Sequence, residues 1–380
     1  MPGWHEATKE WQEAGDVRMV GIIEEQHPER ARLFMQWKKM GWPILVDSLN
    51  LLETTVVPQT LLIDEHGIIR EVRPALDELD RVRLEFVDVD FELPAVGLEA
   101  RRIEPSPAEH AYLRAHANEL DAVLATFEQE AAANPAGGYT LFRAGVAYRA
   151  RHDSPGRRAG DFQTAVSYWE RALQLDPNNY IWRRRIQQYG PRLDKPYPFY
   201  DWVREARAEI IARGETPVPL VVEPIGAELA SPSKEFVGAA APHAPEIDER
   251  ILRDDGVFVT AETTLVPSAV AAGESARAHV RFVPNDAIKG HWNNEVDGLV
   301  FRVEPPAGWQ VDHAVQTLPN PPEAVSREPR NVELELRSPE GAGPGVVQIP
   351  AYALYYVCED VNGVCMYRRQ DVTLRLRVEG

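Results

Sequence analysis

Cys358 and Cys365 are the only cysteines in 380 residues, and they stand close together in Tyr355-Tyr356-Val357-Cys358-Glu359-Asp360-Val361-Asn362-Gly363-Val364-Cys365-Met366-Tyr367. A neighbouring pair of thiols can cycle between dithiol and disulfide: a thiolate attacks a partner disulfide, and the second thiol resolves the mixed disulfide. The competing reading is a structural staple. It would close a loop of about eight residues, which limits its chain-entropy contribution to ~2–3 kcal/mol. On the residues themselves the redox and structural readings stand level, and a reduced, inert pair comes third.

The elements that would hold this pair are strands. Ala351 to Cys358 is apolar and aromatic, and Val372, Leu374, Leu376 and Val378 put an apolar residue at every second position. Between the two runs, Asp360-Val361-Asn362-Gly363 reads as a four-residue hairpin loop, with Gly363 free to adopt the left-handed conformation at its fourth position. That register pairs Glu359 with Val364 and sets Cys358 opposite Cys365. Facing Cβ atoms lie about 4.5–5.5 Å apart, against roughly 3.8 Å in a relaxed disulfide. The expected bond is therefore strained and easier to reduce. A two-residue Asn362-Gly363 turn would instead offset the cysteines diagonally.

Two cysteines on a late hairpin, flanked by Tyr356 and Tyr367, resemble the N-terminal domain of the thiol–disulfide interchange reductase DsbD. The likeness covers residues 253–380. Val257 to Val266, Glu274 to Val283 and Leu299 to Val303 fit as earlier strands, with His291-Trp292-Asn293-Asn294-Glu295 and Pro305-Pro306-Ala307-Gly308-Trp309 as further pieces. The resemblance implies an all-β, immunoglobulin-like sandwich that relays electrons to thioredoxin-like partners. The family's cysteine spacing is usually one residue shorter and is followed by prolines, whereas Met366-Tyr367-Arg368-Arg369 follows here, so the partner surface is expected to differ.

A second redox signal lies at the N-terminus. Val17 to Ile23 reads as a strand, and Pro28 to Met40 has helical spacing, with Leu33, Phe34, Trp37 and Met40 on one side. Val56-Val57-Pro58-Gln59-Thr60 then opens an apolar run closed by Asp64-Glu65-His66-Gly67. A proline opening a buried strand cannot donate to the ladder and needs a reason. The pattern resembles the second half of a thioredoxin fold of the TlpA/AhpC-TSA type over residues 1–76. There the proline is cis, which casts Pro58, with Val57 and Thr60 beside it, as neighbours of a redox centre. The family's Cys-x-x-Cys precedes a Met-Pro, and this sequence starts Met1-Pro2-Gly3-Trp4. The expectation is that the missing cysteines and the strand before them lie upstream of Met1, through a start-site error or a selenocysteine codon read as a stop. A degenerate thioredoxin domain used for binding is the alternative.

The middle of the chain reads as helical over residues 105–214. Gly145, Tyr148, Ala165, Trp169, Ala172 and Pro177 match packing positions of a tetratricopeptide repeat, and helices are expected over Pro107 to Ala133 and Pro198 to Arg213. The aromatic stretch around Tyr200 and Trp202 reads as a packing anchor against another domain. Residues 77–104 form an acidic linker whose alternating Val87-Asp88-Val89-Asp90-Phe91-Glu92-Leu93 suits an added edge strand, and the Pro/Ala-rich residues 215–252 form a second linker. The expected architecture is thus multidomain: an incomplete α/β thioredoxin-like domain, an α-helical repeat-like segment and an all-β sandwich.

A net charge of −18 argues against nucleic acid as a partner. No apolar run approaches the ~20 residues of a membrane helix. His291 and Glu295 are two ligand types four apart on an expected β-loop, too little for a metal site, and His5 and His27 read as surface histidines. No cofactor motif is present. The function expected is a thiol–disulfide oxidoreductase acting on protein thiols and disulfides through Cys358 and Cys365. Its alternatives are a non-catalytic interaction scaffold and, in a longer product, a peroxiredoxin-like antioxidant. An extracytoplasmic compartment suits an oxidisable pair.

Overall fold

The computed structural model describes residues 2–92, 104–116, 119–195, 198–231, 235–236, 250–360 and 363–380. Asn362 and, within the Pro/Ala-rich stretch, residues 232–234 and 237–249 lie outside the described residues. Helices and a large multi-sheet β region are divided between two compact units. The first comprises Met1–Gly156, Arg171–Arg184 and Asp201–Glu223, and the second Arg157–Glu170, Arg185–Tyr200 and Pro224–Gly380.

In the first unit, β1 (Gly21–Ile23) pairs in parallel with β2 (Ile44–Val46), and the helix Pro28–Lys38 connects them. Pro28 sits at the helix start, where a missing N–H costs nothing. The helix buries Leu33 and Trp37. Trp202, at the start of helix Trp202–Ala212, stacks on Trp37 at 5.7 Å and meets Phe34 edge-on, so the aromatic anchor is a packing contact within this unit. β3 (Leu61–Ile63) and β4 (Ile69–Val72) form a separate antiparallel pair. Asp64 closes their turn, accepting from the His66 and Ile68 amides and from Arg70 Nε, and Gly67 adopts φ 81°. The Val57–Pro58 peptide bond is cis.

Several expectations need correction here. His27 is buried, with Nδ1 3.9 Å from an Asp153 carboxylate oxygen. Residues 87–92 make no strand: Val87 ends a helical turn, and Phe91 is tied by side chains instead. Its N–H donates to Glu65 at 3.0 Å, and Arg70 lies over its ring at 4.4 Å. The range Pro107 to Ala133 holds two helices, Pro107–Arg114 and Leu120–Ala133. Gly145, Tyr148, Ala165, Trp169 and Ala172 are buried, but Pro177 is exposed. It follows the end of helix Asp161–Leu175 and stops the helix rather than packing it.

The second unit is built on two sheets. One contains β5 (Val259–Val266), β7 (Ser275–Pro284), β10 (Gln310–Val311) and β13 (Arg330–Arg337), ordered β10-β13-β7-β5. The other runs β11-β9-β14-β15-β6. These strands are β6 (Ala269–Val270), β9 (Val300–Val303), β11 (Val315–Thr317), β14 (Gly345–Glu359) and β15 (Val364–Val378). β8 (His291–Asn293) pairs with both β14 and β12 (Val325–Ser326). Alternate residues of both sheets, including Val280, Phe282, Phe301, Tyr355, Leu374 and Leu376, fill one shared core. Burying such apolar surface contributes about 25 cal/mol per Å². Trp169, on helix Asp161–Leu175, stacks on Tyr189 at 5.8 Å.

Candidate functional site

The long β14–β15 hairpin fixes the cysteines. Its register pairs Cys358 with Cys365 and Glu359 with Val364, and Gly363 adopts φ 66°. A side chain at that φ meets steric cost that glycine avoids. The two sulfurs form a disulfide, and their Cα atoms are 4.0 Å apart.

Side-chain alternation decides which way the disulfide faces. On β14, Ala351, Ala353, Tyr355 and Val357 enter the core, so Tyr356 and Cys358 occupy the opposite face. On β15, Val372, Leu374, Leu376 and Val378 point inward, which leaves Cys365 and Tyr367 with the cysteine partner on the outer face. The two sulfurs are not equivalent: Cys358 is only 4% exposed, whereas Cys365 lies at the surface.

Tyr356 and Tyr367 pair across the same strands, their rings 4.5 Å apart, one step down the ladder from the disulfide. Burial, then Tyr356 and Asp297, push the Tyr367 hydroxyl above its ordinary range, so it stays protonated and can donate. On the core side, Tyr355 donates to Asp254 at 2.7 Å and lies within 3.1 Å of Gln370 Oε1. Burial, then Asp254, push its hydroxyl further upward. Asp254 also accepts the amides of Gly256, Val257, Phe258 and Val259, anchoring the segment before β5 against the hairpin.

His291 does not sit on a loop. It lies on β8, directly opposite Cys358, so Cys365, Cys358 and His291 form one row across three adjacent strands. Its Nδ1 is 3.1 Å from the Lys289 carbonyl and 3.6 Å from Asp360 Oδ1, while Asp360 Oδ2 accepts from Arg327 at 3.2 Å. Glu295 lies beyond the end of β8 and is exposed, so the four-residue spacing brings no ligand pair together on a strand. Among the described residues no group of three His, Cys, Asp or Glu could hold a metal ion. The His291–Cys358 neighbourhood was missed in the sequence because it depends on which strand flanks β14, a long-range pairing that local spacing does not encode.

Pro58, Val57 and Thr60 lie in the first unit. Val57 is exposed, and the Thr60 carbonyl accepts from the Arg73 amide at 2.7 Å.

No protein-family model matches this chain, and no curated protein does. Among solved structures, the chain is similar to a putative membrane anchored protein from Corynebacterium diphtheriae at 10% identity. That match covers 34% of this chain and 38% of the other, with a TM-score of 0.23. A second similarity is to Spo0M, a sporulation control protein from Bacillus subtilis, at 13% identity over 32% of this chain and 50% of the other, TM-score 0.17. The chain thus spans 38% and 50% of these two neighbours, and likenesses at these scores carry no argument about fold or function. Among the described residues no helix is long and apolar enough to cross a membrane.

Proposed function

We propose that this protein is a thiol–disulfide oxidoreductase that exchanges electrons between Cys358–Cys365 and the cysteines of protein partners, thioredoxin-like proteins among them. The observation that carries this reading is the asymmetry of the pair: an exposed Cys365 bonded to a covered Cys358 on an outward sheet face. Exchange requires one reachable sulfur to be attacked while the other departs. The exposure of Cys365 supports it as the sulfur attacked by a partner thiolate, with Cys358 as the leaving thiolate. In the opposite direction the Cys365 thiolate attacks a partner disulfide and Cys358 resolves the adduct. The Tyr356–Tyr367 pair provides an aromatic platform for the partner beside the reacting sulfur.

The resemblance of residues 253–380 to the DsbD N-terminal domain supports the same chemistry, and two sheets around one core support an immunoglobulin-like sandwich. The cis Val57–Pro58 bond and the β1–helix–β2 unit support a thioredoxin-like reading of residues 1–76. Buried small residues beside Trp169 support the repeat-like reading of the helices. With thiols only at 358 and 365, the exchange partner in this reading is another protein's cysteine pair.

Equilibration of the purified protein in dithiol redox buffers tests the reading. A midpoint between about −120 and −270 mV, the range of dithiol catalysts, is expected, whereas a value well below about −300 mV identifies a structural staple. Cys358→Ser removes the resolving thiol and is expected to trap a mixed disulfide with an oxidised thioredoxin-fold protein. A failure to trap any adduct counts for the scaffold alternative.

A further inference from the structure

We propose that His291 is the base that takes the proton from Cys358 when it resolves a mixed disulfide on Cys365; this rests on the exchange function proposed above. Directly opposed residues on antiparallel strands share a face, with Cβ atoms about 4.5–5.5 Å apart. Cys358 is opposed by Cys365 on one side and by His291 on the other. The imidazole therefore neighbours the covered sulfur, while the reachable sulfur lies on that sulfur's far side. A buried thiol has no water at hand to accept its proton, and a buried thiolate is costly without a compensating charge. The His291 ring meets both needs.

The groups around the ring select the nitrogen. A carbonyl only accepts, so the 3.1 Å contact with the Lys289 carbonyl puts the ring hydrogen on Nδ1. The neutral ring then carries its lone pair on Nε2. Once Nε2 is protonated, the positive ring has Asp360 Oδ1 at 3.6 Å from Nδ1, and Arg327 holds the other oxygen of Asp360 at 3.2 Å. A base oriented and charge-balanced by a carboxylate is the general arrangement for activating a nucleophile.

The step balances. The Cys365 thiolate attacks a partner disulfide, and the partner's first sulfur leaves as a thiolate. Cys358 gives its proton to His291 Nε2, and its thiolate attacks Cys365 Sγ. The Cys358–Cys365 bond forms as the bond from Cys365 to the partner breaks, and the partner's second sulfur departs as a thiolate that the imidazolium or water protonates. Two electrons pass from the cysteine pair to the partner disulfide. In reverse, the imidazolium protonates Cys358 as it leaves.

The internal step is measurable without any biological partner. The reduced full chain, mixed with 5,5′-dithiobis(2-nitrobenzoate), releases one thionitrobenzoate on capture by Cys365 and a second on resolution by Cys358. His291→Gln is expected to leave the first phase unchanged and slow the second about 10²-fold at neutral pH. The deficit should close as the pH rises and the Cys358 thiol ionises unaided. A second phase unaltered at every pH, or slowed equally at every pH as a displaced strand would cause, overturns the assignment. If His291→Gln does not fold, Asp360→Asn decides: a slower second phase with an intact first phase supports the base, and an unchanged second phase overturns it. The redox potential of the pair separately decides the exchange function, so the two failures are distinguishable.

Discussion

Glu333 shows how a single carboxylate can make this fold pH-dependent. It stands opposite His279 on the β13–β7 ladder. Arg277 donates to its Oε2 at 2.6 Å, and His279 Nδ1 lies 3.4 Å from its Oε1. Burial pulls its pKa upward, but the His279 hydrogen bond and the Arg277 and His279 charges outweigh burial and lower it from 4.5 to about 2. The folded state thus binds this proton less tightly than the unfolded chain does. Its stabilising contribution is complete above pH 4.5 and is lost as the pH falls from there through about 2. Glu333→Gln is expected to cost roughly 2–3 kcal/mol at pH 7. Urea unfolding of both proteins across the acid range should show the gap narrowing towards pH 2. A gap independent of pH rules out this coupling.

At the scale of elements, legibility followed locality. The β14–β15 register was readable because it depends on nearby residues: an apolar period of two and a glycine placed where φ is positive. The turn at Asp64 and the helix beginning at Pro28 were readable for the same reason. What stayed hidden was decided by distant partners. Residues 87–92 alternate like a strand, yet contacts from Glu65 and Arg70 hold them in another path. His27 and His291 carry no local sign of burial or of the strand beside them. The sequence also did not show that β1–β2 and β3–β4 remain separate sheets. Ile22, Leu45, Leu61, Ile63, Ile69 and Val72 on these strands are exposed. Short, apolar, unpaired edges invite association with other chains. Ile63→Lys with Ile69→Lys is therefore expected to lower light scattering on concentration. The unfolding free energy should move by no more than ~0.5 kcal/mol per site, as is usual for exposed positions. Unchanged scattering would remove these strands as the association surface.

At the scale of the molecule, the sandwich depends on residues far outside its strands. Arg157 pairs with Glu262, and the Gly160 amide donates to the same carboxylate at 2.7 Å. Gln163 accepts the Leu265 amide, and Glu170 accepts both the amide and hydroxyl of Ser268. The Tyr189 carbonyl meets His279 at 2.8 Å, and the Arg192 amide donates to the buried Glu335 at 2.7 Å. All these partners belong to the same compact unit as the strands they touch. A fragment of residues 253–380 keeps every strand and the disulfide but loses all of these bonds. Each is worth ~0.5–1.5 kcal/mol net, and a buried carboxylate stripped of a donor costs more. Residues 157–380 should therefore melt about 10 °C higher than residues 253–380, a difference on the order of 5 kcal/mol for fragments of this size. Circular dichroism on the two oxidised fragments measures this directly. Coincident melting would mean that the sandwich is energetically self-sufficient and that residues 157–200 contribute position rather than stability. A lower melting point in the short fragment makes the helical residues part of the sandwich's folding unit, so that the proposed cysteine exchange should be tested in the longer one.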